Sequence, residues 1–397
     1  MKNMLLLAVA AAALSHGAVA KDFETAPRDL KLNEIQVLGT HNSYARPVDK
    51  RIMAVVDPVI EKMMAQFSAN MSEADMARFK EEHPSGMKLS EGLNYDHPDL
   101  KTQLDAGLRS LEIDVNPDPK GGHYLDPAGY RLLRSQGVTD LPPHNTTDLD
   151  KPGFKVLHVP DIDFRSHCPT LKLCLTQIRE WSNANPGHVP VFILLEAKTQ
   201  GLPVLPQPTP PVPFDAARFA ELDQEIIDVL GRERLITPDD VRGNYATLNA
   251  AVRAGHWPTL KAARGKIVFL MITATGPAAT KAYLDGHPSL KGRVAFLRAE
   301  PGEDHAAFLM YDNALVRSEE IKRYVAEGYI VRTRSDIETY EAKANDMTRA
   351  KAAFDSGAQV VSTDFFRPGN AYGTDYVVTL PGGGAARCNP LKCPLGQ

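Results

Sequence analysis

His41 and Asn42 stand directly after a short apolar run, in Leu38-Gly39-Thr40-His41-Asn42-Ser43-Tyr44. Further on, Ser110-Leu111-Glu112-Ile113-Asp114-Val115 alternates polar with apolar, so in a strand both carboxylates share one side. His158 closes a third such run, and Val191-Phe192-Ile193-Leu194-Leu195 leads into Glu196 and then Lys198. Glu112, Asp114 and Glu196, with the amide oxygen of Asn42, form an oxygen-rich set suited to a hard cation, Ca²⁺ in preference to Mg²⁺. Two histidines beside such a cation could divide the proton transfers, one taking a proton from an attacking hydroxyl and the other giving one to the leaving oxygen.

On an ordinary solvated strand, Glu112 and Asp114 would need no cation. A strand of a parallel barrel is buried on both sides, and there two carboxylates require a cation or donors. The chain supplies the elements of such a barrel. Eight apolar runs of strand character, Ile35 to Gly39, Ser110 to Val115, Lys155 to Val159, Val189 to Leu195, Lys266 to Ile272, Arg293 to Leu297, Tyr329 to Arg332 and Gln359 to Ser362, alternate with segments of helical period. The helices run from Asp99 to Leu108, Leu171 to Ala184, Asp215 to Leu230, Ser318 to Glu327 and Asp346 to Ser356, the last two ending at Gly328 and Gly357. This rhythm predicts an α/β fold, a TIM (β/α)₈ barrel. The surplus length falls in long loops: a helical insertion from Arg46 to Pro98, a glycine- and proline-rich excursion from Asn116 to Phe154, and a proline-dense stretch from Gln200 to Phe214. All three leave the ends of strands where barrel active sites lie.

At the N-terminus, Lys2, the apolar stretch Met4 to Leu14 and the small residues Ala18-Val19-Ala20 have the layout of a signal peptide over residues 1–20, shorter than a membrane span. The expectation is an exported protein, periplasmic or secreted, with residues 21–397 forming a single barrel domain. A net charge of -4 excludes a nucleic-acid binder that relies on strong positive charge. The cysteines fall in two close pairs, Cys168 with Cys174 and Cys388 with Cys393. In an oxidising compartment two short-loop disulfides are favoured, although four cysteines permit three connectivities, and neither pair has the two-residue spacing usual for zinc. His83, His97, His123, His144, His188, His256, His287 and His305 have no setting like that of His41 or His158, and His167, just past the third run, could approach the site but is expected to be bound up with the neighbouring Cys168.

In order and in placement, His41-Asn42-Ser43-Tyr44, Leu111-Glu112-Ile113-Asp114, Leu157-His158 and Leu194-Leu195-Glu196-Ala197-Lys198 resemble the calcium-dependent phosphatidylinositol-specific phospholipases C. Gly357 to Phe365 is similar to the last strand of that family. The resemblance implies that His41 and His158 are catalytic and that Asn42, Glu112, Asp114 and Glu196 hold Ca²⁺. It places Lys198 on the substrate phosphate, and Arg332 and Arg334, which follow the seventh run, could hold a phosphate or inositol hydroxyl. Tyr372 could stack on the inositol ring or serve in packing. The implied substrate is an inositol phospholipid, met in transient contact with a membrane surface, where Leu202, Val204 and Leu205 of the proline-dense loop could touch the bilayer or pack inward. Two other readings compete. A glycerophosphodiester phosphodiesterase shares the barrel and carboxylates but has arginine after its first histidine, where this chain has Asn42. A secreted lipid or sugar-phosphate binding protein would have no need of two proton-transfer groups.

Overall fold

The apolar run before His41 forms β1 (Ile35–Thr40), buried at every residue. It belongs to a computed structural model that describes residues 30–83, 88–199, 201–273 and 276–393; the signal-peptide expectation lies outside the described residues. The other strands are β2 (Ser110–Asp118), β3 (Gly153–Lys155), β4 (Val191–Ala197), β5 (Leu235–Ile236), β6 (Ile267–Thr273), β7 (Phe296–Leu297), β8 (Phe308–Asn313), β9 (Ile330–Arg334), β10 (Val360–Thr363) and β11 (Arg387–Cys388). In chain order β1, β2, β4, β6, β7, β8, β9 and β10 are parallel neighbours, and β10 returns to β1. The seam from β7 to β8 is a parallel bridge between Arg298 and Phe308. This is the expected α/β barrel, with β5 alongside the start of β6.

One of its members differs from the expected set. The run Lys155 to Val159 is not a barrel strand: β3 pairs antiparallel with the tail of β2, and β2 lies directly against β4 from Ser110–Phe192 to Val115–Ala197. The reason is local. Pro160 has no N–H to continue a ladder, and the backbone N–H groups of His158 and Val159 both donate to the Asp163 carbonyl, each at 3.1 Å. The eighth place is filled by β8, whose residues Met310 to Asp312 are only partly buried.

Helices Leu171–Ala184 and Ala216–Leu230 begin where the capping residues put them: Thr170 and Asp215 accept from the N–H groups of Leu173 and Arg218, at 3.3 and 2.8 Å. Gly328 and Gly357 follow their helices with φ of 103° and 78°. The insertion after β1 is helical as expected, with Lys50–Ser68 and Glu73–Glu82. It is tied to the far side of the barrel by Arg317 on Glu81 and by Asn313 Nδ2 donating to the Glu81 carbonyl at 2.9 Å. In the proline-dense loop, Leu205 is buried and Leu202 and Val204 pack against the core, so its apolar residues face inward. Both short-loop disulfides, Cys168–Cys174 and Cys388–Cys393, are formed. No described helix is long and apolar enough to cross a membrane.

Gly39 is required by a close approach rather than by a turn. A Cβ there would lie 2.3 Å from the Ser110 carbonyl oxygen, on the strand with which Gly39 pairs. Gly39→Ala must push β1 away from β2 at the base of the candidate site, and a loss of about 2 kcal/mol in stability is expected. Urea unfolding of the variant measures it, and an unchanged midpoint would show that the two strands are free to part.

Candidate active site

The turn that follows β1 is held against β2 from several directions. Ser43 N–H donates to the Glu112 carbonyl at 2.9 Å, the Glu112 N–H donates to Ser43 Oγ at 2.8 Å, and Gln103 Nε2 donates to the Ser43 carbonyl at 2.6 Å. Asn42 sits at the tip with φ of 45°, a left-handed conformation that asparagine tolerates better than most residues. Its amide nitrogen donates to Tyr95 Oη at 2.7 Å, while its oxygen is met by the Tyr44 hydroxyl at 3.4 Å. Burial drives the Tyr44 phenol well above its usual pKa, with Asp114, Asp163 and Glu196 adding to the effect, so Tyr44 lies in the field of those carboxylates.

Parallel register sets Asp114 beside Glu196 on β2 and β4, two residues beyond Glu112. One oxygen from each of Glu112, Asp114 and Glu196 lies within 4.8 Å of the others. Lys198 Nζ is 2.9 Å from Asp114 and 3.0 Å from Glu196. Arg332 Nη2 is 2.8 Å from Glu112, and its Nη1 is on Asp312. Lys198 and Arg332 thus each bridge two carboxylates. Burial pushes Asp114 up to about 6, with Glu196 adding and Lys198 opposing, and burial also raises Glu112. Burial would raise Glu196, but Lys198, His158 and His41 together lower it. Asp114 is fully buried, and the contact that meets its carboxylate is Lys198 Nζ at 2.9 Å. An all-oxygen donor set of three converging carboxylates fits Ca²⁺.

Each expected histidine carries its own carboxylate at Nδ1. His41 Nδ1 is 3.2 Å from Asp364 Oδ1, and its Nε2 is 3.9 Å from Glu112. Asp364 sits just past β10; burial would raise it, but His41, His97 and Arg334 together hold it well below the usual carboxylate range. His158 Nδ1 is 2.9 Å from Asp163 Oδ2. Burial and Lys198 push His158 down, yet Asp163 and Asp114 carry it above the usual histidine value.

Arg332 and Arg334 are not solvated surface groups. Arg332 is 2 % exposed and clamps Glu112, and Arg334 Nη2 holds Asp364 at 2.9 Å. Tyr372 is drawn elsewhere, its hydroxyl on Thr339 and the Glu91 carbonyl. His97, given no role from sequence, is buried behind the site with Nε2 2.9 Å from the His41 carbonyl. His167 Nε2 reaches the His97 carbonyl at 2.7 Å, one layer further out beside Cys168. Asp163, Tyr95 and Asp312 carry no mark of site membership in the sequence. Asp364, standing at a strand end within Gly357 to Phe365, does.

The same fold occurs in solved bacterial enzymes. A calcium-dependent phosphoinositol-specific phospholipase C from a Gram-negative Pseudomonas, in its myoinositol complex, superposes with a TM-score of 0.51 at 14% identity, covering 91% of this chain and 96% of that one. A Ca²⁺-dependent phosphatidylinositol-specific phospholipase C from Streptomyces antibioticus gives 0.51 at 18% identity, covering 84% and 95%. No curated protein sequence matches the chain. The profile of the family described as "Phosphoinositide phospholipase C, Ca2+-dependent" matches residues 30–390, and the chain belongs to that family. It is therefore an enzyme of the phosphoric diester hydrolase class.

Proposed function

We propose that this enzyme cleaves phosphatidylinositol, or a closely related inositol phospholipid, to diacylglycerol and a cyclic inositol phosphate that water can then open. The observation that carries the reading is the pair of histidines, each tied at Nδ1 to a buried aspartate, flanking three converging carboxylates in a member of this family. Glu112, Asp114, Glu196 and the Asn42 oxygen are assigned to Ca²⁺, which when bound withdraws charge from the phosphate and lowers the pKa of the inositol 2-hydroxyl. His41, oriented by Asp364, receives the hydroxyl proton at Nε2 as the oxygen bonds to phosphorus. His158, kept protonated by Asp163, delivers a proton to the glycerol oxygen as its bond to phosphorus breaks. Lys198 is positioned to meet a phosphate oxygen beside the carboxylates, and Arg334 to steady Asp364. Two disulfides support an exported, periplasmic or secreted, enzyme.

Phosphorus NMR of the purified protein with phosphatidylinositol tests this. Release of a cyclic inositol phosphate is expected, abolished by a calcium chelator and restored by added Ca²⁺. Release of a glycerol phosphate from glycerophosphoinositol instead, with no action on the lipid, would transfer the assignment to the glycerophosphodiester class.

A further inference from the structure

Of the four groups assigned to Ca²⁺, Asn42 alone is not a carboxylate. A carboxylate offers oxygen whichever way it turns, whereas a carboxamide has oxygen at one end and an NH₂ donor at the other. Only one orientation of the Asn42 amide can therefore serve a cation. Before the ion binds, the local attraction runs the wrong way: the carboxylates of Glu112, Asp114 and Glu196 converge at the site, and carboxylates draw an NH₂ donor toward themselves. Something has to hold that end back.

The acceptor that does so is Tyr95. Asn42 Nδ2 donates to Tyr95 Oη at 2.7 Å, a bond between two buried residues, and on the other side the Asn42 oxygen faces the Tyr44 hydroxyl at 3.4 Å. Tyr44 is the group that feels Asp114 and Glu196, so the amide oxygen lies on the carboxylate side and the nitrogen on the Tyr95 side. Tyr95 does not come from the barrel. It stands near the end of the helical insertion that follows β1, and its segment is fixed to the turn it serves. His97 N–H donates to the Ala45 carbonyl at 3.2 Å, His97 Nε2 lies 2.9 Å from the His41 carbonyl, and Ala45 N–H donates to the Asn42 carbonyl at 2.8 Å. The Tyr95 ring packs against those of His41 and His97, with centroids 5.8 and 5.4 Å away. Burial holds its phenol well above the usual value, so Tyr95 stays a neutral hydroxyl whose lone pairs can accept.

We propose that Tyr95 is a positioning residue for calcium: by accepting from Nδ2 it turns the Asn42 oxygen toward the three carboxylates, and the helical insertion thereby takes part in the metal site. This rests on the reading of Asn42 as a calcium ligand. Losing a partner that orients a metal ligand costs roughly ten- to hundred-fold in affinity. The lower figure applies here, because without Tyr95 the amide still samples the correct orientation.

The test uses the full chain with Tyr95→Phe, which keeps the ring against His41 and His97 and removes only the hydroxyl. Calorimetric titration of calcium into the calcium-free proteins reads affinity without any turnover. Tyr95→Phe is expected to bind calcium about ten-fold more weakly than the wild type. Asn42→Asp separates orientation from general damage, since a carboxylate presents oxygen either way round: adding Tyr95→Phe to it should cost no further affinity. Equal affinity of Tyr95→Phe and the wild type overturns the proposal, and so does the same loss in both backgrounds. Calcium binding by Asn42→Ala as tight as that of the wild type removes the ligand assignment and overturns the proposal with it, as does a wild type that binds no calcium. The expected pattern of affinities in a wild type that leaves phosphatidylinositol uncleaved would uphold Tyr95 and remove the activity reading alone.

Discussion

Replacing His41 by alanine is expected to lower turnover of phosphatidylinositol about 10⁴-fold, the upper end of what one proton-transfer group contributes. The expectation rests on how the ring is held. Nδ1 faces the acceptor Asp364 Oδ1 at 3.2 Å, which leaves Nε2, turned toward Glu112, for the proposed proton transfer. Asp364 is itself secured by Arg334 Nη2 at 2.9 Å and receives no solvent to speak of, with a side chain 1% exposed. Asp364→Asn should therefore cost turnover about 10²-fold with KM little altered, because the amide stabilises the imidazolium less. If Asp364 acts through His41, the double variant is no slower than His41→Ala alone. Initial rates for the two single variants and the double variant decide it. Losses that multiply would mean that Asp364 has a separate role and that the pair is not a unit.

The legible part of this molecule is the part that repeats locally. Apolar runs four to seven residues long read as strands because both sides of a parallel barrel strand are buried; β1, β4, β6, β9 and β10 lie within two residues of where the runs place them, and β2 continues three residues past Val115. The strand that carries His158 fails for a reason composition hides: Val156 and Leu157 are buried as a strand would be, but the backbone N–H groups of Val156, His158 and Val159 donate to the carbonyls of Pro169 and Asp163. The reading from sequence still arrives at eight strands, because β8, with its polar Asp312 and Asn313, escapes notice and takes the vacant place.

The candidate site divides along the same line. Glu112, Asp114 and Glu196 stand out because carboxylates at the ends of apolar runs are costly unless something compensates them. Their partners do not, because contact between distant segments leaves no local trace: Asp364 lies 323 residues from His41, and Arg332 lies 220 from Glu112. The arginines show what this costs. At the end of a strand Arg332 looks as ready for solvent or phosphate as for a carboxylate, and only the folded barrel reveals that Glu112 and Asp312 claim it.

Substituting Asp114 by asparagine is expected to weaken calcium binding roughly 10²- to 10³-fold, since affinity at such sites follows the number of ligand charges. Asp114 is fully buried, and Lys198 Nζ meets it at 2.9 Å. The asparagine removes one of the three negative charges that converge at Glu112, Asp114 and Glu196. Lys198→Met moves the balance the other way. It leaves Asp114 and Glu196 buried without their ammonium, so the calcium-free variant should melt well below the wild type, while added Ca²⁺ should restore more stability to it than to the wild type. Thermal melts of the three proteins across a calcium titration read all of this without any assay of turnover. The order of calcium-induced stabilisation should be Lys198→Met, then wild type, then Asp114→Asn. Equal shifts in the three would place the ion elsewhere, and the carboxylates would then be held by Lys198 and Arg332 alone.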